Sequence, residues 1–235
     1  MREFILFDLD GTLLPMDLEE FVKVYLSRLS KFLVPYGYDP EKVISSVWAG
    51  TKAMMANDGT KTNEEVFWDV FGRYYDQDVK QDYDKFELFY EKEFPKVVES
   101  VKINAFAKEV IKKIKEKGYR VALATNPLFP RVATFERVRW TGIEPNEFEL
   151  ITTYETSSYC KPNLKYYEDV CQKLGVEPNQ CIMVGNDVLE DGIAKELGMK
   201  VFLIKDSLLN PKGEDLSNYE VGSFEDFLSW LEEDE

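Results

Sequence analysis

Apolar residues occur along this chain in short unbroken runs, which are separated by longer stretches of mixed character. The runs do not alternate with polar residues, and this is typical of parallel strands that are covered on both faces. The predicted strands are Phe4–Asp8, Tyr119–Ala124, Leu150–Thr153, Ile182–Gly185 and Lys200–Ile204. Because helix-like stretches separate most of these runs, the order predicts an α/β fold with a parallel sheet.

The helical pattern is clearest over Ile103–Lys117. Ala107, Val110, Ile111 and Ile114 fall on one face of a helix there, and a glycine follows the stretch and favours its termination. Further helices are predicted at Arg131–Trp140, Asn163–Leu174, Leu189–Leu197 and Phe224–Leu231.

The segment from about residue 15 to residue 95 breaks this alternation, because it contains only helix-like stretches. These are Leu18–Leu33, Glu41–Met55, Glu64–Tyr75 and Asp82–Phe94. The segment also holds about half of the aromatic residues, which is enough apolar surface for a small core of its own. We therefore predict a core domain of residues 1–14 and 98–235 and an inserted helical domain of residues 15–97. Its aromatic side chains, among them Trp48, Phe67, Trp68 and Tyr74, are expected to be buried rather than to contact a substrate.

Composition excludes several classes of function. The chain has 235 residues and no histidine, so catalytic triads with histidine and zinc proteases of the HExxH type are excluded. Proton transfer must therefore fall to carboxylates, lysine or tyrosine. Three cysteines, at 160, 171 and 181, lack CxxC spacing and are expected to be reduced, half-buried thiols. No apolar stretch is long enough to span a membrane, so a cytoplasmic protein is expected.

The net charge of −15 bears on the partners of the protein. Such a field repels nucleic acid, and no basic stripe offsets it. An anionic substrate needs a local cation in this background. The chain contains neither a GxxxxGK[ST] loop nor a GxGxxG motif after a strand, which argues against a nucleotide-binding switch or kinase.

The first predicted strand leads directly into Asp8-Leu9-Asp10-Gly11-Thr12. Ligands of open α/β sheets bind outside the carboxyl ends of the strands, so chemistry is expected there. Two carboxylates separated by one residue can divide the work, with one as nucleophile and metal ligand and the other as proton carrier. A turn that only ends a strand is the alternative interpretation of this pair.

Three more segments with polar residues follow predicted strands. Thr125 and Asn126 come after the second strand, and Lys161 stands before a proline downstream of the third. The segment Gly185-Asn186-Asp187-Val188-Leu189-Glu190-Asp191 follows the fourth. Taken singly, these residues have ordinary structural roles as turn formers, a surface lysine and a helix cap.

In this order and spacing the four segments resemble the haloacid dehalogenase superfamily of hydrolases, over essentially the whole chain. The resemblance implies a Rossmann-like core with a helical cap inserted after the first strand. It also implies that Asp8 is the nucleophile, which forms an aspartyl-phosphate, and that Asp10 protonates the leaving oxygen and then activates water. Thr125, the Asn126 N–H and Lys161 would hold the phosphoryl oxygens.

The resemblance further implies a Mg²⁺ cofactor. A carboxylate at about 4 Å from a phosphate dianion is repelled by about 4 kcal/mol per charge pair at an effective dielectric of roughly 20, so a cation is needed. The ligands would be the Asp8 side chain, the Asp10 carbonyl and Asp187. Asp191 would orient Lys161 or a metal-bound water, and Asn186 is the alternative metal ligand through its carbonyl oxygen.

The predicted function is a Mg²⁺-dependent phosphatase that acts on a small phosphorylated metabolite. Asp10 favours phosphatases over the dehalogenases of the superfamily, which lack an acid two positions after the nucleophile. Two alternatives stay open: a phosphomutase on the same fold, and a catalytically silent binding protein, for which Asn186 and the Asn126-Pro127 pair are the only support.

Overall fold

The computed structural model describes residues 4–76, 78–103 and 106–233. Its core is a sheet of five parallel strands in the order β2-β1-β3-β4-β5. The strands are β1 Phe4–Phe7, β2 Arg120–Leu123, β3 Cys181–Gly185, β4 Lys200–Ile204 and β5 Glu220–Gly222. The predicted α/β fold with a parallel sheet is confirmed.

Both faces of the sheet are buried. On β1, Ile5 and Phe7 belong to one apolar cluster, whereas Phe4 and Leu6 belong to another on the opposite face. Helices therefore cover both sides, which explains why the strands lack polar alternation. The core helices are α5 Phe106–Glu116, α6 Arg131–Trp140, α7 Leu164–Leu174 and α8 Phe224–Glu233.

The predicted bounds of α6 are exact, and those of α7 and α8 differ from the observed ones by at most two residues. The predicted helix at 103–117 begins at Phe106 among the described residues, and its positions 104 and 105 lie outside them.

Two core predictions are wrong, and one strand was not predicted. Leu150–Thr153 is not a strand: it forms one bridge pair, between Leu123 and Ile151, and its backbone hydrogen bonds with β2 end at Thr152. The helix predicted at Leu189–Leu197 is a 3₁₀ helix over Gly192–Leu197. The sequence analysis missed β5, since two of its three residues are exposed and it carries no apolar run.

The chain between β1 and β2 is helical. It comprises α1 Leu18–Leu33, α2 Pro40–Met55, α3 Asn63–Gly72 and α4 Tyr83–Lys92, with 3₁₀ helices at Val34–Tyr36, Val79–Asp82 and Phe94–Ser100. We call residues 18–100 the helical insert. Asp17, Asp39 and Thr62 cap the first three helices by accepting backbone N–H groups.

The two ends of the insert lie side by side. Met16 and Val101 form an antiparallel bridge, and the Lys102 N–H donates to the Pro15 carbonyl at 3.1 Å. The chain thus enters and leaves the insert at one place. The exact division into domains at residues 14 and 97 stays a prediction.

Aromatic side chains fill the insert. Phe21, Phe71 and Phe89 are fully buried, and ring centroids of neighbouring aromatic residues lie 5.0–6.5 Å apart. Trp68 is buried as expected and Phe67 is half-buried. The expectation was wrong for Trp48 and Tyr74, which are 51% and 39% exposed because they lie on the outer faces of their segments.

Among the described residues, no helix is both long and apolar enough to cross a bilayer. None of the three cysteines, which all lie in the described part of the chain, forms a disulfide, and they are buried rather than half-buried. Burial raises the pKa of Cys160 to about 12, so its thiolate is disfavoured.

Candidate active site

The candidate site lies at the carboxyl ends of β1 and β3, which are neighbours in the sheet. From β1 the chain continues to β2, towards one edge of the sheet, whereas from β3 it continues to β4, towards the opposite edge. Ligands of α/β sheets bind at such a switch point. Asp8 follows β1 directly, and its N–H donates to the Val184 carbonyl at 2.9 Å. Asn186 follows β3 directly. The first and fourth predicted segments therefore meet.

A tight turn follows Asp8. The N–H groups of Thr12 and Leu14 both donate to the Leu9 carbonyl, and Gly11 has a φ of +89°. An added Cβ at Gly11 would lie 2.5 Å from Nδ2 of Asn186. Only glycine combines this backbone conformation with such a close approach. The contact with Asn186 therefore requires a glycine at position 11.

Lys161 joins Asp8 to Asp191 at the centre of the site. Its Nζ donates to Oδ1 of Asp8 at 2.9 Å and to Oδ1 of Asp191 at 2.6 Å. The lysine side chain is fully buried. Asp191 in turn accepts the N–H groups of Asn186 and Asp187 at 3.0 Å each. A buried ammonium with two carboxylates is a network that is costly to break, and it fixes three of the four segments together.

Burial and the neighbouring acids Asp191 and Asp10 raise the pKa of Asp8, although the Lys161 ammonium counteracts them. Burial also opposes the charge of Lys161, but Asp191 and Asp8 raise its pKa well above the ordinary range. The single Lys161 ammonium is shared by two buried carboxylates, so Asp8 is left with an incomplete counter-charge. The pocket of Asp8 therefore favours additional positive charge.

Asn126 connects the second segment to the third. Its Oδ1 accepts the Lys161 N–H at 3.3 Å, and its Nδ2 donates to Glu190 at 3.0 Å. The Thr125 carbonyl accepts the hydroxyls of Thr152 and Tyr166 at 2.6 and 2.8 Å. Thr125 and Asn126 are thus held rigidly beside Lys161, as a phosphoryl-binding role requires.

Asp10 has a partner that the sequence analysis missed. Its Oδ2 accepts Nη1 of Arg137, which is fully buried on α6. Its Oδ1 is buried and has no hydrogen-bond partner among the described residues. The predicted proton carrier is therefore paired with a permanent cation.

Asn186 and Asp187 are oriented differently. Oδ1 of Asn186 accepts the Thr12 hydroxyl at 3.1 Å, and the same hydroxyl lies 3.3 Å from Oδ2 of Asp8. Oδ1 of Asp187 instead accepts the N–H groups of Leu189 and Glu190, at 2.7 and 3.0 Å, and caps the next turn. The carboxamide oxygen of Asn186 is the one that shares a partner with Asp8.

The donor set is compatible with a hard divalent cation. Asp8, the Asp10 carbonyl and Asn186 or Asp187 offer oxygen atoms, which are the ligands that Mg²⁺ prefers. The unpartnered Oδ1 of Asp10 and the incomplete counter-charge of Asp8 fit the binding of a cation at this site. Among the described residues, no group of three or more acids and cysteines converges as a metal cage. A metal here would therefore rely on backbone, amide and water oxygens as well.

Glu190 is a further residue that the sequence analysis did not assign. Burial, with Asp191 and Asp187 nearby, raises its pKa to about 7, while Lys161 opposes the shift. It contacts Asn126, as described. The sequence offered one indication of this residue, its position inside the fourth segment. An acid at that position is also typical of an ordinary helix start.

Comparison with known proteins now identifies the family. A family model described as haloacid dehalogenase-like hydrolase matches residues 5–204. The chain belongs to the haloacid dehalogenase-like (HAD-like) hydrolase family. The predicted resemblance and the prediction of a hydrolase are confirmed.

Two curated relatives of this HAD-like hydrolase match over most of its length. Phosphoglycolate phosphatase of Aquifex aeolicus is 25% identical over 85% of this chain and 83% of its own. Glyceraldehyde 3-phosphate phosphatase of Methanocaldococcus jannaschii is 23% identical over 97% of this chain and 96% of its own.

Solved structures share the fold. The crystal structure of 2-haloacid dehalogenase from Pseudomonas syringae pv. Tomato DC3000 aligns with a TM-score of 0.68 at 18% identity, with both chains fully covered. This similarity supports the architecture of the HAD-like hydrolase, in which β1 leads into the helical insert.

Proposed function

We propose that this HAD-like hydrolase is a Mg²⁺-dependent phosphatase that hydrolyses a small phosphorylated metabolite through an aspartyl-phosphate intermediate. The observation that carries the proposal is the Asp8 carboxylate at the switch point, held by Lys161 at 2.9 Å and followed by Asp10 two residues later. The phosphatase activities named for both curated relatives support it.

The proposed substrate is a small phosphate monoester. The names of the two relatives specify phosphoglycolate and glyceraldehyde 3-phosphate, which are both small esters of this class. We propose that the helical insert acts as a cap over the site, since Phe21 and Tyr25 of α1 contact Phe129 of the core at ring distances of 6.0 and 5.3 Å. A cap that closes over the site leaves little room for a macromolecule.

In the proposed mechanism, a carboxylate oxygen of Asp8 attacks phosphorus in line with the leaving oxygen. The Asp8–phosphorus bond forms as the ester bond breaks, and Asp10 gives its proton to the leaving oxygen. Lys161, Thr125 and the Asn126 N–H hold the phosphoryl oxygens and stabilise their negative charge. Asp10 then takes a proton from the water that hydrolyses the Asp8 phosphate.

We propose that the Asp8 carboxylate and the Asp10 carbonyl hold Mg²⁺, which would neutralise charge on the phosphoryl group when bound. For the third protein ligand, the contacts favour Asn186 over Asp187. The Asn186 oxygen shares the Thr12 hydroxyl with Asp8, whereas the Asp187 carboxylate caps the next turn. Asp191 orients Lys161 in this scheme.

The proton-transfer role of Asp10 distinguishes this proposal from dehalogenation, in which a halide leaves without protonation. Arg137 is paired with Asp10, so the carboxyl group that is proposed to protonate the leaving oxygen is held in place by an ion pair.

The test is phosphate release from phosphoglycolate, glyceraldehyde 3-phosphate and 4-nitrophenyl phosphate, with Mg²⁺ and after its removal by EDTA. We expect Mg²⁺-dependent release with at least one substrate and none with Asp8→Asn. Conversion of one phosphate ester into an isomer without phosphate release would instead identify a phosphomutase. Binding of the esters without either reaction would identify a silent binding protein.

A further inference from the structure

Arg137 is a fully buried arginine outside the four motif segments. It lies on the inner face of α6 together with Ala133 and Thr134, which are also buried. Arg139, two residues further along the same helix, has a side chain that is 48% exposed. A buried guanidinium is costly unless it is paired, because it does not lose its charge at ordinary pH. The contacts of Arg137 therefore indicate which role compensates for the cost of burying its charge.

The ion partner of Arg137 is Asp10, which accepts from Nη1. Nη2 makes only a long contact of 3.5 Å with the Thr134 hydroxyl, and Nε has no hydrogen-bond partner among the described residues. The guanidinium thus leaves donors unused and gives its best contact to one carboxylate. This is a weak arrangement for stability alone, since apolar side chains would fill the same space at lower cost.

Aromatic rings hold the guanidinium in place. Its carbon lies 4.4 Å from the ring centre of Phe129 and 5.9 Å from that of Phe21. Phe129 precedes α6, whereas Phe21 belongs to α1 of the helical insert. Arg137 therefore sits between the core and the insert, where rings restrict its side chain without competing for its N–H groups.

We propose that Arg137 is a positioning residue that holds the Asp10 carboxyl group at the leaving oxygen and stabilises the carboxylate left after proton transfer. The inference rests on the proposed phosphatase mechanism. In that step the ester oxygen takes the proton of Asp10 together with the electron pair of the breaking phosphorus–oxygen bond. Asp10 becomes an anion as the alcohol leaves, and the Arg137 charge faces that anion.

This role makes a prediction about leaving groups. An ester with a poor leaving group needs the proton of Asp10, but an ester with a very good one departs as an anion without it. The parameter kcat/KM covers the steps up to departure of the leaving group. Loss of Arg137 should therefore lower kcat/KM selectively for poor leaving groups, whereas a general loss of structure or of phosphate binding would lower it for both.

The experiment compares phenyl phosphate with 2,4-dinitrophenyl phosphate, which has a similar shape and a far better leaving group. For Arg137→Gln we expect kcat/KM to fall about 100-fold with phenyl phosphate and less than about 3-fold with the dinitrophenyl ester, within the range of general acid catalysis. Arg137→Lys, which keeps the charge, should recover part of the loss. Arg139→Gln is the matched control and should change neither value.

A second comparison guards against loss of folding, because Arg137→Gln leaves Asp10 buried without its counter-charge. The double variant Asp10→Asn with Arg137→Gln removes both charges at once. If Arg137 acts through Asp10, the double variant should be no slower on phenyl phosphate than Asp10→Asn alone. An equal loss on both esters, or an additive loss in the double variant, would overturn the role of Arg137. A wild-type protein inactive on the dinitrophenyl ester would instead contradict the proposed phosphatase function, on which this role depends.

Discussion

The core side and the insert side of the candidate site differ in the kind of side chain that they bury. The core side buries charges, with Lys161 between Asp8 and Asp191. The insert side buries rings, with Phe21 and Tyr25 facing the core. Within the insert, the Tyr25 and Tyr90 hydroxyl oxygens are 2.9 Å apart, so these two phenols share a hydrogen bond.

In the proposed function, this difference separates the side of the site that performs the chemistry from the side that selects the substrate. A charged network has fixed geometry and supplies the electrostatic stabilisation on which phosphoryl transfer depends. A surface of packed rings is held mainly by apolar contacts rather than by directional bonds. We therefore expect changes on the core side to alter reaction rate, and changes on the insert side to alter stability with little effect on the chemistry.

The largest expected effect comes from Lys161→Met, which removes the central cation while keeping a long side chain. It leaves Asp8 and Asp191 buried without their partner, which should lower the free energy of unfolding by about 3–5 kcal/mol. Loss of a phosphoryl-oxygen ligand should lower kcat by at least about 100-fold. Urea unfolding and steady-state kinetics measure the two effects. Lys165→Met is the control, because Lys165 is exposed and should change neither quantity much.

On the insert side, Phe89→Ala should lower the free energy of unfolding by about 3–5 kcal/mol, since the ring is fully buried among other rings. The kcat of the folded enzyme should stay within about 3-fold of the wild type, because the ring contacts of Phe89 among the described residues are with other aromatic side chains of the insert. Trp48→Ala, at an exposed position of the same insert, should cost less than about 0.5 kcal/mol. A larger loss for Trp48 than for Phe89 would contradict this description of the insert.

At the proposed metal ligands the expected effect is on Mg²⁺ affinity. Asn186→Ala should raise the Mg²⁺ concentration for half-maximal activity by about 10–100-fold, as loss of groups around metal sites does. Asp187→Ala should change it much less, but should cost about 1 kcal/mol of stability through the lost cap. Mg²⁺ titrations of activity and thermal unfolding distinguish the two. The reverse order of Mg²⁺ effects would assign the ligand to Asp187.

The smallest effect concerns pH. Burial raises the pKa of Glu190 from 4.5 to about 7, so between these values the folded protein binds a proton that the unfolded chain has released. The free energy of unfolding should therefore fall as pH rises through this window, by on the order of 1–3 kcal/mol from this group. Glu190→Gln should remove that part of the slope, as measured by urea unfolding at several pH values. Glu168→Gln, at an exposed position of α7, should leave the slope intact.

Much of the core could be predicted because its signals are local. Each of β1 to β4 is an apolar run, and the motif residues Asp8, Thr125 and Asn186 come directly after strands or within a few residues of their ends. Parallel strands bring those ends to one edge of the sheet, so order along the chain already implied proximity in space. β5 escaped prediction because its pairing with β4, rather than its composition, makes it a strand.

Residues that act from a neighbouring element gave no such signal. Arg137 lies near the end of α6, which carries two other arginines, and such a charged helix is typical of a solvated face. Only its spacing from Ala133 and Thr134 places it on the inner face. Trp48 was expected inside the insert for its size, yet helix packing left it on the outer surface. Such facts depend on how elements pack, which a single sequence does not specify.

The central claim is that Asp8 becomes phosphorylated, and mass spectrometry of rapidly quenched reactions tests it most directly. The Asp10→Asn variant should be used beside the wild type, because loss of the base slows hydrolysis of the intermediate and allows it to accumulate. With 2,4-dinitrophenyl phosphate and Mg²⁺, we expect one phosphoryl group on the peptide that contains Asp8, and none when Asp8 is also changed to Asn. Release of phosphate without any phosphorylated peptide, or a phosphoryl group on another residue, would contradict the account.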